Sequence, residues 1–234
     1  LKQILNRLIP SVEKKERKRQ PPLPFTTSTM QQVANNNLKF RTQKTMMVAQ
    51  QLYEGINIGR SGTVGLITYM RTDSTRISEV AKHEASEFIH SEYGENYAAI
   101  KPRQGKLAEG AQDAHEAIRP SSVLRTPKSL EKYLDKDQMK LYSLIWSRFV
   151  ASQMTPAVID TMRVDLDQNG VSYRSTGSKL KFDGFTKVYA DSKHKDNMLP
   201  DLENGDEVIM SRNQPNQHFT LPPARFTEAA LIKT

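Results

Sequence analysis

Residues 137–175 read DQMKLYSLIWSRFVASQMTPAVIDTMRVDLDQNGVSYRS, and the hydrophobic period changes once within them. Tyr142, Ile145, Trp146 and Phe149 recur at helical spacing and predict a helix from about Asp137 to Met154. That apolar stripe reads as core rather than as a platform for stacking bases. Pro156 blocks any extension. Beyond it Met162, Val164 and Leu166 alternate with Arg163, Asp165 and Asp167, the period-two signature of a strand. Asn169-Gly170 is a hairpin signal, and Val171, Tyr173 and Ser175 supply the return strand. Helices giving way to an antiparallel ribbon predict an α+β chain.

Upstream the pattern is helical. Ser28 or Thr29 is expected to cap a helix carrying Met30, Val33 and Ala34, which ends in an Asn35-Asn36-Asn37 turn. Thr42 is expected to cap a second, with Thr45, Met46, Ala49, Leu52 and Tyr53 on one side and Gly55 past its end. Ser78 opens a third, with Ala81, Ala85, Phe88 and Ile89 at helical spacing and Gly94 as the stop. Downstream, Leu180 with Phe182, then Phe185 with Val188, suggest more strand, and residues 207–210 another. From Pro222 the sequence PPARFTEAALIKT restarts a helix capped at Thr227. The chain stops within that helix, so the sequence is expected to be a fragment.

Residues 13–19, EKKERKR, hold five basic residues among seven and read as a solvated strand face or a linker. The QPPLPF that follows cannot continue a helix and marks a segment boundary. The 234 residues suffice for one large domain or two small ones. Charged residues are 26% and mean hydropathy is −0.63, and no stretch approaches the roughly 18 apolar residues of a membrane span. The N-terminus has no secretory h-region. Without cysteine, a disulfide scaffold and Cys-ligated zinc or iron–sulfur sites are excluded, and a cytosolic location fits. Net charge is +8 and the pI about 9.5, which suits a polyanionic partner or solubility alone.

One segment carries chemistry: residues 65–74, GLITYMRTDS. Leu66 and Ile67 anchor a short buried strand, and polar turn formers follow Tyr69. If the backbone stays extended, Tyr69 and Arg71 project to the same side. A phenol, with a reference pKa of about 10, is a poor nucleophile unless its anion is stabilised. A guanidinium two residues away favours the phenolate and grips a phosphate oxygen in a forked contact. Tyr plus Arg is the minimal set for attack on a phosphodiester, but a bare Tyr-x-Arg is also an ordinary surface or packing pair.

The longer string LITYMRTDSTRIS resembles the active-site segment of the type IA DNA topoisomerases, the bacterial topoisomerase I family. PPLPFTTSTMQQVA (residues 21–34), KTMMVAQQLYEG (44–55), AHEAIRP (114–120) and QHFTLPPARFTEAALIK (217–233) resemble further blocks of that family, in its order. The resemblance implies that Tyr69 is the covalent nucleophile, joined to a 5′ phosphate, and that Arg71 binds the scissile phosphate. His115 would assist DNA binding or phosphate contact, and Arg225 would contact single-stranded DNA. Arg119 would give structural support. The implied fold is a helical domain carrying the tyrosine, residues 29–149, inserted into a β-rich arch or hinge domain, residues 1–28 and 150–221. Residues 222–234 would begin the next helical domain.

The family also implies partners: single-stranded and negatively supercoiled DNA, and a toprim domain whose acidic D-x-D-x-E cluster binds Mg²⁺. Nothing here matches that cluster, because Asp165-Leu166-Asp167 continues into Gln168 and Asn169, so no metal ligands are expected in this chain. The G-I-G-R-P-S-T-Y block expected after the last helix is absent, and residues 55–60, GINIGR, lie in the wrong place for it. The resemblance implies a monomer in the bacterial cytoplasm, associated with the nucleoid. The fragment alone is not expected to relax DNA. A catalytically silent nucleic-acid-binding module is the alternative. A tyrosine recombinase or relaxase is disfavoured, because five scattered histidines make neither an Arg/His constellation nor a His-rich metal cluster.

Overall fold

The computed structural model describes residues 6–103, 105, 115–168, 170–189, 196–209, 214–223 and 225–233. Along the chain come β1 (Asn6–Arg19), α1 (Thr27–Val33), α2 (Thr42–Glu54), β2 (Ile56–Asn57), β3 (Thr63–Val64) and α3 (Glu79–Tyr93). There follow α4 (Pro127–Leu130), α5 (Lys136–Ser152), β4 (Ala157–Gln168), β5 (Val171–Phe182), β6 (Glu207–Ile209) and α6 (Glu228–Lys233). The fold is α+β, as the change of period predicts. The chain divides into two compact units. One holds residues 1–19, 157–183 and 191–224; the other holds 20–156, 184–190 and 225–234.

The first unit is built on an antiparallel sheet of order β5-β4-β1-β6. The charged EKKERKR run lies within β1, where Lys14 pairs with Met162 and Lys18 with Val158 of β4. On one face ion pairs run across three strands: Lys15 to Glu13, Arg163 to Glu13 at 3.2 Å, Arg163 to Asp165 at 3.5 Å and Arg174 to Asp165 at 2.6 Å. Alternating signs let so charged a strand pair without like-charge repulsion across the ladder. Val12 and Val164 stand opposite each other, and Val164 is buried. A Cβ on Gly177 would lie 2.8 Å from Asn197 O, so glycine alone lets that segment close on β5. Asn204 and Asp201 fasten the same segment to β1, through Val12 N–H at 2.6 Å and the Lys14 ammonium at 2.7 Å. The β4–β5 hairpin forms as expected; Gly170 has φ +80°, and Asn169 lies outside the described residues. The expected strand at 207–210 is β6, with Met210 outside the described residues.

The second unit is helical, and α5 is its centre. Asp135 accepts from the Asp137 and Gln138 amides in a capping box, and the stripe Tyr142, Ile145, Trp146, Phe149 is buried as predicted. Its two polar-tipped aromatics each find a carbonyl: Trp146 donates to Val123 O at 2.9 Å and Tyr142 to Arg125 O at 2.6 Å. Burial pushes the Tyr142 phenol up, which keeps it a donor. Trp146 also meets Phe88 of α3 edge-on at 5.7 Å. Arg148 is half-buried between the Phe25 and Tyr189 rings and donates to Leu23 O at 2.6 Å; burial lowers its pKa. α3 starts at Ser78, whose hydroxyl accepts from Ala81 N–H, and stops at Gly94, as read from the sequence.

Four local expectations are corrected. The cap of α1 is Thr26, not Ser28 or Thr29, because Thr26 and Thr29 satisfy each other's backbone amides in a capping box. The Asn35-Asn36-Asn37 stretch is not a simple turn but a π-helical segment, Ala34–Leu38, closed by Lys39 at φ +60°. Thr42 is the first residue of α2 rather than its cap; Arg41 takes that position without a side-chain bond, and the Glu228 carboxylate of α6 accepts from both Thr42 N–H (2.6 Å) and its hydroxyl. Phe185 and Val188 are not strand. Gly184, at φ +48°, turns the chain so tightly against Thr155 that Phe185 enters a 3₁₀ turn and buries its ring.

Candidate active site

Tyr69 stands on a segment that three other stretches of the helical unit hold in place. At its start, the Leu66 amide donates to Leu52 O at the end of α2 (2.7 Å), and a Cβ on Gly65 would lie 2.8 Å from Tyr53 O. Only glycine permits that approach. Residues 66–68 then pair antiparallel with 118–121: Thr68 N–H donates to Arg119 O at 2.9 Å and Ser121 N–H to Leu66 O at 2.9 Å, with Ile67 bridged to Pro120. Residues 118 and 25 are bridged in turn, Ile118 N–H donating to Phe25 O at 2.8 Å. Further on, Thr27 N–H donates to Thr72 O at 2.8 Å.

The consequence is an alternation of burial from Tyr69 to Thr72. Met70 and Thr72 are buried, whereas Tyr69, 45% exposed, and Arg71 face solvent. The chain bends at Met70, between them, so the expected same-side projection is not carried by a continuous extended strand. The Tyr69 ring rests edge-on against Tyr53 at 5.4 Å and 64°. No carboxylate pairs with Arg71 among the described residues, so its guanidinium is available to an anion.

Arg119 is occupied differently. Its guanidinium grips Glu116 at 2.7 Å and donates to Pro120 O at 3.0 Å, which fits the support role the resemblance implies. Burial raises the Glu116 pKa, but the Arg119 charge and hydrogen bonds from Ser78 outweigh it and leave it lowered. His115 is exposed at the start of the same block; Ala114 before it lies outside the described residues. Arg225 is exposed just ahead of α6, where Thr227 caps Ala230 N–H at 3.1 Å as predicted. No hydrogen bond or ion pair joins Tyr69, Arg71, His115 and Arg225 to one another among the described residues.

Residues 1–234 match the family model described as DNA topoisomerase. The chain belongs to that family. It is similar to the full-length topoisomerase I of Thermotoga maritima, with 39% identity and a TM-score of 0.84 over 99% of its residues. It spans 37% of that solved topoisomerase chain.

Sequence reading did not single out two hydroxyls that hold the tyrosine segment. Thr68 Oγ1 donates to Ala117 O at 2.8 Å and accepts from Arg119 N–H at 3.0 Å, tying the tyrosine segment to the AHEAIRP block. Thr27 does the same at the other end, against Met70 and Thr72. The available signal was the run Thr26-Thr27-Ser28-Thr29, four hydroxyls where one helix cap needs two. Among the described residues no group of three His, Asp or Glu could hold a metal ion, so these residues do not fit a Mg²⁺ site.

Proposed function

We propose that this chain carries the strand-cleaving half of a type IA DNA topoisomerase site. Tyr69 Oη loses its proton and attacks the phosphorus of a phosphodiester, the P–O3′ bond breaks, and the 3′ oxygen takes up a proton and leaves as a hydroxyl while the protein becomes joined to the 5′ phosphate. Resealing is the reverse attack by that 3′ oxygen. Because the covalent bond retains the energy of the broken one, relaxation of negatively supercoiled DNA needs no ATP. The observation that supports this best is the clamped segment that leaves Tyr69 and Arg71 exposed beside buried Met70 and Thr72. Arg71 would hold the scissile phosphate. His115 and Arg225 would extend the grip on single-stranded DNA.

Mg²⁺ belongs, on this reading, to the acids of a toprim domain, and no step here is assigned to it. The gate-opening domain would be residues 29–149, which lie within the helical unit, inserted into a β-rich arch formed by 1–28 and 150–221, with 222–234 opening the next domain. The chain would act in the bacterial cytoplasm at the nucleoid, as a monomer. No helix among the described residues is long and apolar enough to cross a membrane. Alone, the chain would bind DNA weakly and fail to relax supercoils, because the preorganised charge that dominates phosphoryl transfer is incomplete.

The test mixes this chain with a separately expressed toprim-containing piece, Mg²⁺ and labelled single-stranded DNA, and looks for a denaturant-resistant adduct. An adduct that requires both pieces and is abolished by Tyr69→Phe supports the proposal. Salt-steep DNA binding without any adduct, unchanged by Tyr69→Phe, supports instead a silent nucleic-acid-binding module.

A further inference from the structure

The Arg71 side chain has no ion-pair partner among the described residues, and the direction in which it leaves the backbone is set by the peptide planes on either side of it. One residue holds both planes. Thr27 Oγ1 donates to Met70 O at 2.7 Å and accepts from Thr72 N–H at 2.8 Å, the carbonyl before Arg71 and the amide after it. The Thr27 amide, one of the four at a helix start with no intrahelical acceptor, donates to Thr72 O at 2.8 Å. Thr26 and Thr29 perform the capping between themselves, which leaves Thr27 free for this contact. A β-branched side chain has few rotamers, so its hydroxyl is held in place. Thr72 is itself buried and accepts from Ser74 N–H at 3.0 Å, so the far end of the clamp is anchored.

We propose that Thr27, which lies outside the tyrosine segment, is a positioning residue whose hydroxyl fixes the peptide units on both sides of Arg71 and so aims the guanidinium at the phosphate that Tyr69 attacks. The inference rests on the reading of Tyr69 as nucleophile and Arg71 as phosphate ligand. Thr27 touches neither substrate nor the reacting atoms. Its effect belongs to the cleavage rate and not to DNA affinity, because backbone direction decides transition-state contact while most of the affinity comes from charge.

The test places Thr27→Val, Thr27→Ala and Thr27→Ser in the complete topoisomerase that includes the toprim domain, with a 3′-labelled single-stranded oligonucleotide as probe, because the 3′ part is the one that stays on the tyrosine. Single-turnover adduct formation at saturating oligonucleotide is expected to slow at least tenfold in Thr27→Val and Thr27→Ala, with Kd within twofold of the parent. Thr27→Ser, which keeps the hydroxyl, is expected within threefold of the parent rate. Hydrogen exchange at the Thr72 amide is expected to accelerate at least tenfold in the Val variant and not in the Ser variant.

The proposal is overturned by a parent-like rate in Thr27→Val, by a Thr27→Ser rate as slow as Thr27→Val, or by a rate loss matched by lost affinity. Loss of folding in both the Val and Ala variants also overturns it, because the residue then serves only the fold. Adducts that persist in Tyr69→Phe remove the nucleophile reading instead, and with it the purpose of the clamp, while the Thr72 amide signature still reports whether the hydroxyl holds the segment.

Discussion

Replacing Thr68 by valine deletes one hydroxyl and keeps the shape. Two hydrogen bonds go with it, the one donated to Ala117 O at 2.8 Å and the one accepted from Arg119 N–H at 3.0 Å. Each is worth about 1 kcal/mol net, and a stranded buried partner costs more. Ala117 is fully buried, so its carbonyl has little access to water, and the expected loss is about 2–3 kcal/mol. The backbone bond from Thr68 N–H to Arg119 O survives, so the two segments stay in register. At about 2–4 °C per kcal/mol for a chain of this size, Thr68→Val should melt about 5–10 °C below the parent. Thr68→Ser should recover most of that difference. Urea and thermal unfolding of the three proteins measure it. A valine variant within about 0.5 kcal/mol of the parent, a typical surface-substitution effect, would refute the claim that this hydroxyl ties the tyrosine segment to the 117–121 block.

Three further outcomes follow from the same geometry. Phe149→Ala empties a buried position on the central helix and should cost about 3–5 kcal/mol, read by urea unfolding. Asp135→Ala removes the capping box of α5 and should cost about 1 kcal/mol, with helix loss visible first at that end by amide exchange. Acid should destabilise the fold in part through two of the carboxylates held below their ordinary range, Glu116 and Glu228. In Glu116, Arg119 and Ser78 overcome the upward push of burial; in Glu228, hydrogen bonds from the Thr42 hydroxyl and amide lower it. A lowered folded pKa stabilises fully above the unfolded value of about 4.3 and loses that stability as pH falls through the folded value. Melting temperatures between pH 6 and pH 2 should therefore drop less steeply in the double variant Glu116→Gln, Glu228→Gln than in the parent.

Periodic elements were legible because their information is local. The stripe on α5, the alternation in β4 and the Ser78 and Gly94 ends of α3 each need only a dozen residues of context, and each appears where its pattern places it. The motif suggested that Tyr69 and Arg71 share a side; both are exposed beside buried Met70 and Thr72, with a bend at Met70. What holds the segment was not legible, since its partners lie at residues 25–27 and 117–121, far along the chain. The misplaced caps have the same origin. Thr42 reads as a cap until Glu228, nearly the whole chain away, supplies the carboxylate in its stead. Phe185 and Val188 follow Leu180 and Phe182 and suggest more strand, yet the positive φ of Gly184 turns the chain before a strand forms. The Asn-rich segment signals a stop without revealing that the helix widens instead of ending.

The charged strand β1 has a consequence for how the molecule is made. Its ladder partner β4 begins at Ala157, so during synthesis the strand leaves the ribosome long before anything exists to pair with it. At roughly 5–20 residues per second it waits on the order of ten seconds with both edges bare. An apolar strand in that position would recruit other nascent chains; a run of five cations among seven residues repels them. When the β4–β5 hairpin closes locally, the acids Asp160 and Asp165 arrive beside Lys181 and Arg174, and β1 docks with its own Glu13 and Glu16 against the hairpin's Arg163 and Lys181. The composition that looks like a disordered linker is what keeps a late-paired strand out of aggregates until its neighbour has been translated.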